Sequence, residues 1–160
     1  MKRSRYGGVS SAIASIGLLV LIGCTTKAAQ NSRNVNIIGL WEEKGPTVHA
    51  ITLRKADGTY RQKVIQLYDY ARSPLAYQAD GRWRINGEQY ISTLDHVSAP
   101  LWKKYIGKQW NMKILASDTK LFKYLSTDGA VVEERRIGDA SDAAFDRIRL
   151  GKEIKNRLSN

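Results

Sequence analysis

Four dipeptides in which aspartate or asparagine precedes glycine constrain the fold of this chain more than any other feature. They are Asp57-Gly58, Asp80-Gly81, Asn86-Gly87 and Asp128-Gly129. Such pairs tolerate the positive φ that tight hairpin turns require. Each pair separates short runs rich in Val, Ile, Thr, Tyr and Trp, which favour β-strands. The pattern predicts consecutive antiparallel hairpins, because parallel strands would need helical crossovers for which the connections leave no room.

The runs between these turns account for most of the chain after residue 36. We predict strands at residues 37–43, 48–55, 59–68, 76–78, 82–85, 88–97, 110–116, 120–126 and 130–137. An open meander of this length would leave two unpaired edges, and closure into a barrel removes them. The predicted fold class is therefore mainly β, an antiparallel up-and-down meander closed into a barrel.

Beyond residue 138 the apolar pattern changes from strand to helical spacing. Asp139 or Ser141 can cap a helix. Apolar side chains then recur near a period of 3.6 at Ala144, Phe145, Ile148, Ile154 and Leu158. Residues 139–160 are predicted to form a C-terminal amphipathic α-helix. Its apolar face either packs on the barrel wall or lies on an anionic membrane surface.

The N-terminal segment has the organisation of a secretion signal. Three basic side chains within residues 2–5 precede an apolar run at residues 12–22. This run is too short and wrongly flanked for a membrane-spanning helix. It ends in Leu21-Ile22-Gly23-Cys24, which resembles the lipobox of bacterial lipoproteins. The resemblance implies a lipoprotein signal peptide of residues 1–23, cleavage before Cys24, and acylation of that cysteine.

Cys24 is the only cysteine, so the chain has no internal disulfide. A free thiol after a plain signal peptide or signal anchor is the alternative to acylation. Thr25 stands where many Gram-negative lipoproteins carry an aspartate that retains them in the inner membrane. In this respect the chain resembles lipoproteins that are sorted to the outer membrane, where the protein would face the periplasm or the cell surface. Residues 24–36 are small and polar, and they predict a flexible tether after the lipidated cysteine.

The chain is basic, with a formal net charge of +11. Three of the 26 basic residues and none of the 15 acidic ones precede Cys24, so the remainder carries +8. An exported protein does not meet nucleic acid as its usual partner, and we predict none. Anionic lipid or an acidic protein surface fits the charge better. A solvated surface without a partner is the alternative, since the basic residues are spread along the chain.

Three short motifs resemble lipocalin and calycin barrels. They are Gly39-Leu40-Trp41, Asp57-Gly58-Thr59-Tyr60 and Asp80-Gly81-Arg82-Trp83-Arg84-Ile85. The resemblance covers residues 37–138 and implies a lipocalin-like barrel. It also implies that Trp41, after Gly39, plugs the closed end beneath an arginine of the last strand. We assign that arginine to Arg135, with Arg136 as the alternative.

The barrel interior decides the function, because an eight-stranded barrel either is packed with side chains or holds one small ligand. Trp83, Tyr90 and Trp110 are predicted to line it, as ligand-binding residues or as core. The leading hypothesis is a binding protein for a small apolar or amphiphilic molecule, such as a fatty acid or lipid fragment. The alternative is an accessory or inhibitory lipoprotein of a cell-envelope assembly, such as a secretion, pilus, surface-polymer or exclusion system. Residues 100–108 mix aromatics with lysine and either close one barrel end or sit among lipid headgroups.

The sequence offers no catalytic or metal-binding pattern. The segment Asp95-His96-Val97-Ser98 has the residue types of a catalytic triad, but neighbours along a strand point to opposite faces. The pairs Glu42-Glu43 and Glu133-Glu134 are predicted to be surface charge. We therefore predict a protein that is not an enzyme and needs neither metal nor cofactor.

Overall fold

Eight antiparallel strands close into an up-and-down barrel. The computed structural model describes residues 36–67 and 74–150. The strands are β1 (Gly39–Lys44), β2 (Val48–Arg54), β3 (Thr59–Gln66), β4 (Leu75–Asn86), β5 (Gln89–Val97), β6 (Gln109–Ser117), β7 (Leu121–Leu125) and β8 (Val131–Gly138). Each strand pairs with the next, and β8 pairs with β1. The predicted fold class is confirmed.

Several predictions fall outside the described residues. They concern the signal peptide of residues 1–23, lipidated Cys24 with its tether as far as residue 35, and residues 151–160 of the predicted helix. They stay predictions.

Asp80-Gly81 lies within a strand and not in a hairpin turn, so that prediction is wrong. The two short strands predicted around it are one strand, β4. The pairing of β4 with β5 shifts register between Asp80 and Gly81, which is a β-bulge. A Cβ on Gly81 would lie 2.0 Å from the carbonyl oxygen of Thr93 and 2.7 Å from the ring of Tyr60. Glycine is therefore required here by the close approach of neighbouring strands. The other three pairs do form turns with positive φ, at Gly58, Gly87 and Gly129.

The sheet buries apolar side chains on both of its faces. Inside the barrel, one core cluster comprises Ile37, Trp41, Tyr90, Met112, Ile114, Phe122 and Tyr124. Outside, Leu40 of β1 and Ile51 and Leu53 of β2 form a second cluster with Phe145. Polar Thr52 and Arg54, which alternate with these β2 residues, therefore point inward.

A short helix, α1 (Asp142–Arg147), covers the outer cluster. The hydroxyl of Ser141 caps this helix by accepting a hydrogen bond from the backbone amide of Ala144 at 3.3 Å. Phe145 is buried against the barrel wall, so the packing alternative is confirmed for the described part. The helix ends at Arg147, earlier than predicted. The ammonium of Lys63 donates to the carbonyls of Phe145 and Ile148 at 2.7 and 2.9 Å, which satisfies acceptors that a longer helix would use itself. No helix in residues 36–67 and 74–150 has the length and apolarity to cross a membrane.

Trp41 of β1 lies in the inner core cluster. It is fully buried, and its indole N–H donates to the carbonyl of Ile37 at 2.8 Å. The arginine over its ring is Arg136, at 5.7 Å from the ring centre, so the assignment to Arg135 is wrong. One step along β8 moves a side chain to the other face of the sheet. Arg135 is accordingly exposed and donates to Glu133 at 3.1 Å.

Gly39 permits this arrangement of tryptophan and arginine. Its φ is +146°, a conformation that other residues rarely adopt. A Cβ at this position would lie 2.9 Å from Nη2 of Arg136 and 3.0 Å from the carbonyl oxygen of Gly138. A larger residue would therefore displace the arginine from the Trp41 ring.

Candidate binding cavity

A cavity of about 210 Å³ lies inside the barrel beneath a 3₁₀ helix, Pro100–Tyr105, which joins β5 to β6. Strands β2 to β7 and the 3₁₀ helix line it. Its aromatic side chains are Tyr60, Tyr77, Tyr90, Trp102, Trp110 and Tyr124. Its polar side chains are Thr52, Arg54, Gln62 and Ser92, and its aliphatic ones are Ala79, Leu94, Val97 and Met112. The cavity is thus an aromatic chamber with polar side chains from β2, β3 and β5 in its wall.

Strand periodicity explains how residues far apart in sequence meet in this chamber. Each strand contributes alternate positions, such as Tyr90, Ser92 and Leu94 of β5 or Trp110 and Met112 of β6. Residues two apart on a strand share a face, and the inner face of a barrel points to its centre.

Arg54 of the cavity wall belongs to a buried ion pair with Glu134. Arg54 and Glu134 are each 1% exposed. The guanidinium donates twice to the carboxylate, from Nη1 to Oε2 at 2.5 Å and from Nη2 to Oε1 at 2.8 Å. The remaining polar atoms of the pair are also engaged. Arg54 Nε donates to the Tyr90 hydroxyl at 3.2 Å, and the Tyr124 hydroxyl donates to Glu134 Oε1 at 3.2 Å.

Aromatic rings enclose the Arg54 guanidinium. It lies 5.0 Å from the ring centre of Tyr90 and 5.3 Å from that of Phe122, distances that suit a cation–π contact. Burial alone would lower the pKa of Arg54, but the Glu134 carboxylate outweighs it and raises that pKa. Burial raises the pKa of both Tyr90 and Tyr124, so their hydroxyls stay protonated and available for hydrogen bonds. The cluster is therefore a charge-balanced unit.

Glu43 of β1 adds a second carboxylate beside this cluster. It pairs in register with Glu134 across β1 and β8. Burial, with the added repulsion of the Glu134 charge, raises the pKa of Glu43 to about 7, although Arg54 opposes the shift. Glu43 therefore gains its proton near neutral pH, while ordinary glutamates are ionised there.

One polar group in the cavity wall has no hydrogen-bond partner among the described residues. It is the indole Nε1–H of Trp102, which is buried from solvent. Trp102 belongs to the 3₁₀ helix over the cavity, and its ring also contacts Tyr77 and Tyr105 with centroids 6.2 and 5.4 Å away. A buried donor without an acceptor costs about 1–3 kcal/mol.

The three predicted ligand-binding residues are not all in the cavity wall. Tyr90 and Trp110 line it. Trp83 does not; its indole N–H donates to the Thr59 carbonyl at 3.0 Å, and its ring packs on the inner core cluster. Of the two alternatives for Trp83, its contacts fit the core and not the cavity wall.

Sequence reasoning missed Arg54, Glu134 and Trp102. The prediction that Glu133-Glu134 is surface charge is wrong for Glu134 and right for Glu133, which pairs with Lys123 at 2.9 Å. In the sequence, Arg54 shares one face of its strand with Thr52, while Ile51 and Leu53 share the other face. The alternation does not show which of the two faces lies inside the barrel. Trp102 was noted only as part of a segment that mixes aromatics and lysines.

The remaining acidic residues and histidines do not form a catalytic constellation within the described part of the chain. Asp95 receives two bonds of 2.8 Å from Arg82, and His96 faces Asp80 at 3.4 Å, both at exposed positions. Glu42 pairs with His49 at 2.9 Å. Among residues 36–67 and 74–150, no group of three or more His, Cys, Asp and Glu side chains is placed to hold a metal ion.

Neither a protein-family model nor a curated protein matches the chain. Its class is therefore defined by structure: a closed eight-stranded antiparallel barrel with an aromatic cavity in its interior.

Proposed function

We propose that this protein is a membrane-anchored, non-catalytic binding protein that holds one small amphiphilic molecule in the barrel cavity. The observation that carries the proposal is the aromatic chamber of about 210 Å³, whose wall includes Trp102, a residue with a buried indole N–H that has no acceptor among the described residues. Ligand sites are typically apolar chambers with a few placed polar groups, and this chamber has that character.

The size of the chamber limits the ligand. A volume of about 210 Å³ equals roughly seven water molecules at about 30 Å³ each. It is smaller than the roughly 300–1,000 Å³ usual for drug-sized ligands. The occupant is therefore a single ring or a short chain, and a long acyl chain would not fit as a whole.

The polarity of the walls describes the ligand further. The six aromatic side chains contact an apolar body. The Trp102 indole N–H selects a hydrogen-bond acceptor, while Thr52 and Ser92 offer hydroxyls that donate or accept. The Arg54 charge is already balanced by Glu134 at 2.5 and 2.8 Å. A neutral polar molecule therefore suits the chamber better than an ion, which would bring an unpaired charge into it.

The anchor is the second part of the proposal. The ending Leu21-Ile22-Gly23-Cys24 supports export, cleavage and lipidation of Cys24, and Thr25 supports the outer membrane, with the barrel facing the periplasm or the cell surface. The test is metabolic labelling with palmitate together with cell fractionation. We expect label and membrane association for the wild-type chain, and loss of both for Cys24→Ala. Label on the alanine variant would contradict the assignment.

The ligand is tested by native mass spectrometry of the protein purified gently from the cells that make it. We expect one added mass that disappears on denaturation. Ser92→Phe should abolish it by filling the chamber, and Trp102→Phe should weaken it by removing the N–H. Trp83→Phe is the matched control, because Trp83 lies outside the cavity wall, and it should keep the added mass. A clean protein mass for the wild-type chain, or equal loss in the control, would refute ligand binding and favour the accessory-protein alternative.

A further inference from the structure

A basic and apolar surface covers the outside of the barrel end above the cavity. It is formed by the 3₁₀ helix and the turn that follows, and we call it the 3₁₀ tip. Its exposed side chains are Leu101, Lys103, Lys104, Ile106 and Lys108. Leu101 is 50% exposed and Ile106 is 47% exposed, which makes them two of the most exposed large apolar residues in the described part of the chain.

Within the described part of the chain, the lysines of the 3₁₀ tip form no ion pair with a carboxylate. No Asp or Glu among the described residues lies within 4.0 Å of Lys103, Lys104 or Lys108. The ammonium groups of Lys104 and Lys108 instead lie 5.1 Å from the ring centre of Tyr105. Their positive charges therefore remain available to an external anion.

We propose that the 3₁₀ tip docks on an anionic phospholipid surface. Lysines attract the headgroups, and the apolar side chains between them enter the boundary between headgroups and acyl chains. Tyr105 and Trp102 lie just beneath, as aromatic residues do at membrane interfaces.

A lipid surface fits this patch better than a protein partner does. Stable protein interfaces bury about 1,200–2,000 Å² and have an apolar centre from which charges are depleted. Here two isolated apolar side chains alternate with three lysines, an arrangement that supports shallow insertion assisted by electrostatic attraction.

Docking would also place the cavity at the membrane. Trp102 belongs to the same 3₁₀ helix and forms part of the cavity wall. A molecule that partitions into the lipid would meet the covered end of the chamber directly. The docking proposal rests on the outer surface alone and stands whether or not the cavity holds a ligand.

The test uses residues 25–160, which contain all eight strands and the described core but lack the lipidation site. Binding is measured by flotation with vesicles of equal parts phosphatidylglycerol and phosphatidylcholine, and with vesicles of phosphatidylcholine alone. We expect binding to the anionic vesicles, weakened by added salt. Lys103→Gln/Lys104→Gln should reduce it about 25-fold, at about fivefold per lysine. Leu101→Ser/Ile106→Ser should also reduce it, by removing the inserted side chains.

The matched control is Lys113→Gln/Lys120→Gln, which removes the same charge from exposed positions on β6 and before β7. It should retain nearly full binding, and far-UV circular dichroism should show the wild-type spectrum for every variant. Equal binding to both kinds of vesicle, or a loss in the control as large as that of the tip variants, would overturn the proposal. So would vesicle binding that does not change when the tip lysines are replaced.

Discussion

The buried pair of Arg54 and Glu134 should couple more strongly than any surface ion pair of this protein. The perturbation is a double-mutant cycle of Arg54→Met, Glu134→Leu and both together. Each single change leaves one charge at a site that is 1% exposed, which typically costs about 3–5 kcal/mol. The double variant removes both charges of the pair. Only the hydroxyls of Tyr90 and Tyr124 then lose a hydrogen-bond partner, each from a bond of 3.2 Å to the pair. We expect the double variant to cost no more than about 3 kcal/mol, since water in the adjacent cavity can serve those hydroxyls.

The assay is urea unfolding of residues 25–160, followed by tryptophan fluorescence and far-UV circular dichroism. With a slope of about 2 kcal/mol per molar, a loss of about 4 kcal/mol moves the midpoint by about 2 M. The coupling free energy is the sum of the losses of unfolding free energy in the two single variants minus the loss in the double variant. We expect it to be at least about 3 kcal/mol.

The chain provides its own control in Arg82 and Asp95. This pair is also bidentate, with both bonds at 2.8 Å, but it lies on the exposed face. Solvent screening should leave its coupling far below that of the buried pair. Additive single costs at Arg54 and Glu134, or equal coupling in the two pairs, would refute the reasoning that burial makes the inner pair strong.

Three further substitutions test other parts of the structure. Burial beside Glu134 raises the pKa of Glu43 to about 7, so the folded state holds this proton more tightly than the unfolded chain does, and the free energy of unfolding should fall as pH rises from about 4.5 to 7. Glu43→Gln should remove this pH dependence and raise the free energy of unfolding by up to about 3 kcal/mol at pH 8. Urea unfolding at both ends of the pH range measures the effect. Gly81→Ala should cost about 3 kcal/mol in thermal unfolding, because its Cβ would meet the Thr93 carbonyl at 2.0 Å, and an unchanged midpoint would contradict the bulge geometry. Phe145→Ala should cost about 3–5 kcal/mol in urea, since its ring is buried on the barrel wall, and a loss below about 1 kcal/mol would mean that the short helix is not part of the core.

Local sequence rules were sufficient where the structure depends on neighbours along the chain. Three of the four Asx-Gly pairs form turns, because a hairpin turn is set by the φ values of its own residues. Asp80-Gly81 has the same composition but lies in a strand. Its glycine is required by Thr93 and Tyr60 on the two neighbouring strands, and no local pattern contains that information.

The barrel interior was less predictable, because the alternation of apolar and polar residues along a strand does not show which face of the strand points inward. In β2 the apolar residues Ile51 and Leu53 suggest an inward face, but the short helix covers them from outside. Arg54 thus points inward, and its partner Glu134 is 80 positions away on another strand. Each charge taken alone fits the exposed surface where such residues are usually found. Only barrel closure, which joins β8 to β1 and so brings β8 near β2, shows that the two charges meet.

The chain enters the barrel at one end and carries the 3₁₀ tip at the other. Residue 36 precedes the start of β1, whereas the 3₁₀ helix follows the far end of β5. From Cys24 to Asn36 there are 12 peptide steps, which span at most about 40 Å. A nine-residue strand such as β5 is about 30 Å long. The proposed lipid on Cys24 and the proposed docking of the 3₁₀ tip are therefore compatible with one membrane, because the full reach of these 12 steps exceeds the length of a strand.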